Sequence, residues 1–353
     1  MKINGELPMN RMIKLCIAAL CLMIVVRHAD AQQTRKTTKV GTTVAQFLKI
    51  PTGARSIAMG NTGASLEGDV YSIYWNPGAL ARLRTPGEAT FNHAEWLADI
   101  SYDYAAAGLT LEGIGTLGVS ITSLRVPEDI VRTEINPDGD GRRWDYSSFA
   151  MGFSFARSLT DRFSIGFTAK YIRESIWHMS SQGFAFDIGT IYTTSFNDLK
   201  IGASISNFGT KMRLDGHDIS FNNFPGGSLG QGPQNVESIY KTESFDIPLT
   251  FRIGVSMDLV RMDNIRATAA LDATHPNDNV EYVNSGLELA YDEMFFGRVG
   301  YKSLFYDESE EGLTWGLGVL FALNNTTGIK VDYAFADFGR LKNVQFVSVG
   351  VTF

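Results

Sequence analysis

Cysteine is nearly missing from this chain. Cys16 and Cys21 both lie in the leader described below, so everything downstream lacks thiols and disulfides. That suits an oxidising compartment without requiring a stapled fold. Long apolar runs are missing too. Past Val26 none approaches the roughly 18 residues of a membrane helix, which excludes a helical membrane protein but not a barrel, whose strands need only alternate. Positive charge is scarce: 31 Lys and Arg stand against 38 Asp and Glu, a formal net charge of -7, with no basic run. Nucleic acid is therefore not an expected partner. Catalytic constellations are absent as well. His93, His178, His217 and His275 are scattered, no G-x-S-x-G occurs, and no two His sit at metal-ligand spacing. The expectation is a non-enzyme with no cofactor and no metal.

Residues 1–31 read as a removable signal peptide. Lys2, Arg11 and Lys14 form a basic head, Leu15 to Val26 a short apolar run, and Ala29-Asp30-Ala31 a small-x-small exit. Neither cysteine follows a small residue as a lipoprotein site requires. Cleavage would make the rest of the chain more acidic.

From Phe47 to Ala81 the sequence is dense in small residues and fits neither a helix nor a strand period. Gly53, Gly60, Gly63, Gly68 and Gly78 interrupt both patterns. Such a stretch suits a confined space, and the expectation is a plug, with residues 32–87 as the N-terminal segment and plug and 88–353 as the barrel.

The rest alternates with period two. Phe149, Met151, Phe153 and Phe155 interleave with Ala150, Gly152 and Ser154; Phe251, Ile253 and Val255 interleave with Arg252 and Gly254. Turn residues such as Glu112-Gly113, Thr160-Asp161, Met262-Asp263-Asn264 and Asn324-Asn325 separate the runs. The predicted strands are 88–96, 99–110, 115–126, 146–158, 161–176, 181–194, 199–208, 246–259, 264–274, 280–292, 294–305, 312–323, 327–337 and 341–353. The fold class is thus all-β, a transmembrane antiparallel barrel of about fourteen strands with an N-terminal plug. Long connections at 127–145 and 210–245 fall on the end opposite the short turns. The apolar face of the strands makes outer-membrane lipid a partner. The last strand alternates and closes on Phe353, the kind of signal that barrel-assembly machinery reads.

Residues in order along the chain resemble the PorV/PorQ family of FadL-like outer-membrane barrels. They include Phe47-Leu48-Lys49-Ile50, Gly53-Ala54-Arg55, Ala58-Met59-Gly60 and Tyr74-Trp75-Asn76-Pro77, then Glu95-Trp96, Phe186-Asp187-Ile188-Gly189, Asn207-Phe208-Gly209 and Val331-Asp332-Tyr333. Where the family has Asn-Pro-Ala-Gly-Leu-Ala, this chain has Asn76-Pro77-Gly78-Ala79-Leu80-Ala81. The resemblance implies a plugged fourteen-stranded barrel in the cell outer membrane. It implies one of two roles: a non-catalytic component of type IX secretion that binds secreted cargo proteins and a translocon, or a FadL-like channel for hydrophobic molecules such as fatty acids.

Arg55, Gly60, Tyr74, Trp75, Asn76, Pro77 and Asp187 are the plug and lumen candidates. Arg252, Lys170 and Asp187 have the parity of the inner face, and Arg55 is expected to pair with a lumen carboxylate such as Asp187. Trp96, Tyr102, Trp144, Trp177 and Tyr301 are expected in interfacial aromatic girdles. Asn136-Pro137-Asp138-Gly139-Asp140-Gly141 resembles half a calcium loop but lacks its closing Glu, so a plain turn is favoured. The 210–245 connection, with Phe221 and Phe224, is either a partner-binding surface or a lid.

Overall fold

Alternation of apolar and small or polar residues builds one antiparallel sheet that closes on itself. The computed structural model describes residues 39–223, 235–306, 309–324 and 327–353. The leader at 1–31, Phe224 with the glycine-rich stretch after it, and Asn325 lie outside the described residues. Fourteen strands form the barrel. The first seven are β1 (Gly87–Glu95), β2 (Ser101–Leu111), β3 (Gly115–Ile130), β4 (Arg143–Thr160), β5 (Phe163–Ile176), β6 (Met179–Thr193) and β7 (Lys200–Gly209). The second seven are β8 (Thr250–Arg261), β9 (Ile265–Pro276), β10 (Tyr282–Tyr291), β11 (Phe295–Leu304), β12 (Leu313–Ala322), β13 (Gly328–Asp337) and β14 (Asn343–Thr352). Each pairs with its sequence neighbours, and β1 pairs with β14 from Glu88↔Thr352 to Glu95↔Gln345. Closure leaves no free edge, as a wall in lipid requires.

The register puts Phe91, Val119, Phe153, Phe167, Val255, Leu289 and Val349 outward and exposed. Their neighbours Asn92, Ser120, Ser154, Thr168, Ser256, Glu288 and Ser348 point inward and are buried. A soluble protein would not present such a continuous apolar exterior, and a lipid-facing band accounts for it. No helix among the described residues is long and apolar enough to cross a membrane.

Short turns gather at the end where Gly87 and Phe353 exchange backbone hydrogen bonds of 2.8 and 2.9 Å. The longer connections gather at the other end. By the rule for bacterial barrels the first end faces the periplasm and the second the exterior. On the outer side the wall is uneven. Strands β3 to β6 run 16, 18, 14 and 15 residues, whereas β10 to β14 run 10 each. The 127–145 connection is therefore mostly strand, because β3 and β4 keep pairing as far as Ile130↔Arg143 past a register shift. The 210–245 connection also contains paired structure, a two-stranded ribbon joining Ser220–Asn223 to Val236–Ile239.

Inside the wall, residues 45–82 are almost entirely buried. They form a 3-10 turn (Gln46–Lys49), α1 (Ala54–Ala58), α2 (Ser72–Trp75) and a second 3-10 turn (Pro77–Arg82). None is long enough to stand alone, and their apolar side chains pack on the lumen side of the strands.

Candidate functional site

The segment enters from the outer end and runs to the short-turn end, and each stage is tied to the wall. At the outer end Thr43 Oγ1, Gln46 Nε2 and Lys49 Nζ all donate to the Asp278 carboxylate, at 2.7, 2.9 and 3.0 Å. Burial pushes the Asp278 carboxyl upward, but these three donors outweigh it and hold the group below the usual carboxylate range. Ala45, in the left-handed region at φ 54°, donates its N–H to Glu174 at 3.1 Å.

Deeper in, Arg55 makes a two-pronged pair with Glu288, Nε to Oε2 at 2.9 Å and Nη2 to Oε1 at 3.1 Å. It also donates to Asp69 and to the Glu67 carbonyl, both at 3.0 Å. Glu288 is 0 % exposed and takes two further guanidinium bonds, from Arg298 at 2.8 Å and Arg266 at 3.0 Å. Arg298 reaches Asp332 at 2.5 Å. One wall carboxylate is thus shared by three guanidiniums, two from strands and one from the segment. A charge taken out of water persists only with such compensation.

Backbone groups of the segment are satisfied by inward side chains. Asp272 accepts from Gly63 N and Ala64 N at 2.7 and 2.8 Å. Thr314 Oγ1 accepts from Gly60 N at 2.9 Å and donates to the Ala58 carbonyl at 3.0 Å. Gly60 sits at φ 73°, and a Cβ there would lie 2.4 Å from the Ser285 carbonyl oxygen. The wall is shaved to match. A Cβ at Gly202 would stand 1.8 Å from the Ala64 carbonyl oxygen, one at Gly166 2.2 Å from that of Pro77, and one at Gly189 2.0 Å from Asn76 Oδ1.

Asn76 is the hinge of the last turn. Its Oδ1 accepts from Gly78 N at 3.0 Å and caps the turn begun by Pro77. Its Nδ2 donates to the Ala64 and Thr190 carbonyls at 2.5 and 2.9 Å. Trp75 Nε1 donates to the Thr52 carbonyl at 2.9 Å, and Tyr74 packs edge-on to Trp75 with ring centroids 4.9 Å apart.

Arg55, Gly60, Tyr74, Trp75, Asn76 and Pro77 therefore all meet in or beside the lumen. Asp187 is also inward but stands apart. Its partner is Lys170 at 2.5 Å, and it accepts from Asn207 N at 2.7 Å, where β7 bulges. The expected Arg55–Asp187 pair is replaced by Arg55–Glu288, because Asp187 lies across the barrel on β6 and is already neutralised. Among the girdle aromatics, Tyr301 is exposed, but Tyr102 is fully buried and donates to the Ile50 carbonyl at 3.1 Å. Trp96 packs on Phe338 and Phe346. Both serve the interior, so the girdle expectation fails for them. In the 136–141 turn Arg142 holds Asp140 with Nε at 2.8 Å, keeping its carboxyl low, and the turn is a salt-bridged one.

Sequence reasoning missed Glu288, Arg298, Arg266, Asp332, Asp272 and Asp278. For the strand residues a signal existed: each has inward parity beside lipid-facing apolar residues, as Glu288 does between Leu287 and Leu289.

Two cavities flank the packed segment. The inner one, ≈ 470 Å³, opens among the short turns between Arg82, Arg84, Lys200, Arg261 and Glu293. The outer one, ≈ 550 Å³, opens among the longer connections, between Phe47, Trp96, Leu124, Tyr146 and Arg252.

A closed antiparallel barrel with an apolar exterior and a chain segment folded into its lumen defines an outer-membrane protein of the FadL-like fold. Three solved structures illustrate it. The toluene transporter TbuX of Ralstonia pickettii superposes with a TM-score of 0.53 at 12% identity, covering 85% of this chain and 97% of its own. The CymD monoaromatic hydrocarbon channel gives 0.55 at 11%, covering 86% and 97%. A FadL homologue of Pseudomonas aeruginosa gives 0.51 at 12%, covering 86% and 98%. No curated protein sequence matches significantly. The family described as Type IX secretion system protein PorV matches residues 31–244, more than half of the chain, and the protein belongs to that family. It is thus a non-catalytic, secretion-associated barrel of the outer membrane, tied to secretion-system partners in general.

Proposed function

We propose that the protein is a plugged barrel that does not conduct and that docks secretion partners on its raised outer rim. The observation that carries this reading is the lumen segment. From Ala45 to Arg82 it is buried, ion-paired to the wall through Glu288 and fitted against wall glycines. Arg55, Gly60, Tyr74, Trp75, Asn76, Pro77 and Asp187 act in it as structural parts of the plug and lumen, not as a transport path. The boundaries proposed are a leader to residue 31, plug and approach at 32–87 and barrel at 88–353.

The rim supplies the docking surface. It carries the long β3–β4 hairpin and the ribbon of Ser220–Asn223 with Val236–Ile239, next to which Phe221 and Tyr240 stack at 4.5 Å and Ile239 and Tyr240 are 60% and 63% exposed. Exposed aromatics on a paired ribbon suit a protein partner, either secreted cargo or the translocon. Phe353, at the open end of β14, serves as the assembly signal for the barrel-assembly machinery, and the exterior band contacts outer-membrane lipid.

A second reading, a channel for hydrophobic solutes, is favoured by the outer cavity and by the fold shared with hydrocarbon transporters. The packed segment beneath that cavity counts against it. The deciding experiment is a mild-detergent pull-down of tagged protein from its native membranes, followed by mass spectrometry. Recovery of secreted proteins or a large barrel subunit, lost when 131–142 or 220–239 is shortened, supports docking. Recovery of the protein alone with bound apolar molecules overturns it.

A further inference from the structure

Charges at the inner end are sorted into two adjoining hollows of opposite balance. Six cations line the inner cavity against four carboxylates. Three of those carboxylates are each shared by two cations. Glu67 takes Lys200 at 2.8 Å and Arg82 at 3.3 Å, and Glu293 takes Arg84 at 2.9 Å and Arg266 at 2.5 Å. Asp258 takes Arg261 at 3.1 Å, with Arg266 at 4.0 Å. Positive charge is therefore in surplus there. A second cavity, ≈ 410 Å³, shares the wall of Glu67, Arg82, Lys200, Asp258 and Arg261, but three cations now stand against four carboxylates. The reversal comes from Asp161 and Asp198, exposed on the short turns after β4 and β6, which make no ion pair among the described residues. The fold gains little from these outlying charges. Arg84 and Arg261 hold their carboxylates with side chains 52% and 71% exposed, and exposed pairs contribute little to stability.

We propose that the two hollows form one binding site at the periplasmic mouth for an extended peptide segment carrying both signs of charge. Its acidic residues enter the inner cavity and face Arg84 and Arg261; its basic residues enter the second cavity and face Asp161 and Asp198. Leu66, Ile265 and Ala290 line the inner cavity and give the stems of those side chains apolar surface. The two volumes, ≈ 470 and ≈ 410 Å³, each lie in the range of ligand sites. A ligand of one sign satisfies one hollow and is repelled by the other, whereas a segment of both signs completes both. Complementarity of this kind fixes register and rejects wrong partners more than it adds affinity, so the site is selective and weak. Membership of a secretion-associated family favours a segment of a periplasmic protein over a cell-wall peptide as the source. The site lies at the end of the barrel opposite the rim and does not rest on docking there.

The test uses the full chain in nanodiscs of zwitterionic lipid at low ionic strength. It is titrated by calorimetry with three peptides capped at both ends: Glu-Glu-Gly-Lys-Lys, Glu-Glu-Gly-Gln-Gln and Gln-Gln-Gly-Lys-Lys. The first is expected to bind saturably, one per chain, and at least about tenfold more tightly than either one-sign analogue. Added salt is expected to weaken it. Arg84→Gln combined with Arg261→Gln is expected to erase its advantage over the basic analogue, and Asp161→Asn combined with Asp198→Asn its advantage over the acidic one. All four residues are exposed at or beside strand ends, and the comparison of peptides on the unaltered protein needs no variant. Lys302→Gln, at the outer cavity, controls for location and is expected to change nothing. Equal binding of the three peptides, no saturable binding of the first, or a preference that survives in the folded arginine variant overturns the proposal. Tighter binding of the cell-wall tripeptide Ala-γ-Glu-diaminopimelate than of the first peptide overturns it as well, by making the wall the source. None of these results bears on partner recovery through the rim or on conductance, so the two readings fail separately.

Discussion

Arg55→Met asks whether the lumen segment is held by the charge cluster or merely enclosed by the wall. Arg55 donates four hydrogen bonds, two to Glu288, one to Asp69 and one to the Glu67 carbonyl. Breaking a buried pair by removing one partner typically costs about 3–5 kcal/mol, mostly because the other charge is stranded. Glu288 is not stranded, since Arg266 and Arg298 remain on it. The lower figure, about 3 kcal/mol, is therefore the expectation, on the order of a hundredfold in the local opening equilibrium. The loss should fall on the segment and spare the strands, whose ladders do not include Arg55. Native-state amide hydrogen exchange reads this directly. Amides of Asn61, Gly63 and Ala64 should exchange about a hundredfold faster, while those of β9 to β11 keep their protection. Unchanged segment amides would refute the cluster as the lock. Equal loosening of the strands would show that segment and wall open as one unit.

Glu288→Ala should be worse than Arg55→Met, because three guanidiniums lose their shared acceptor; a lower barrel melting temperature, by heat-modified mobility on gels, checks it. Gly202→Ala should expel the Ala64 region, costing about 1–3 kcal/mol through overpacking, seen as new protease cleavage between 60 and 70. The Asp278 anchor has a depressed carboxyl, so its contribution is present above the ordinary carboxylate range and lost as pH falls through the depressed value. Protection of amides 44–49 should accordingly be kept through the ordinary carboxylate range and be lost only at more acidic pH in the native protein. Asp278→Asn should abolish that pH dependence. Asn76→Ala removes a cap and the side-chain donor to the Ala64 and Thr190 carbonyls, a loss of about 2 kcal/mol, measurable by urea unfolding in detergent.

Strand count and facing were legible because lipid imposes a strict period of two: Phe153 must face out once Ser154 faces in. The placement of Arg55, Asn76 and Trp75 in the lumen followed from glycine density, which reports close approach of backbones. Which lumen carboxylate meets Arg55 was not legible. Parity gives the face of a strand but not its position around the barrel, and Asp187 and Glu288 satisfy parity equally. Tyr102 and Trp96 were misplaced for a related reason, since a strand end in sequence does not say whether the ring turns outward to the interface or inward over the lumen segment. The outer extension of β3 and β4 was hidden by Pro127 and the charged residues after it, which read as loop yet pair beyond a register shift.

The closed lumen is the centre of this account, and planar-bilayer recording of the purified native protein tests it most directly. The account expects no stable conductance steps above the bare bilayer while the Arg55–Glu288 cluster is intact. Steady, reproducible ion conductance from the unaltered chain would contradict it.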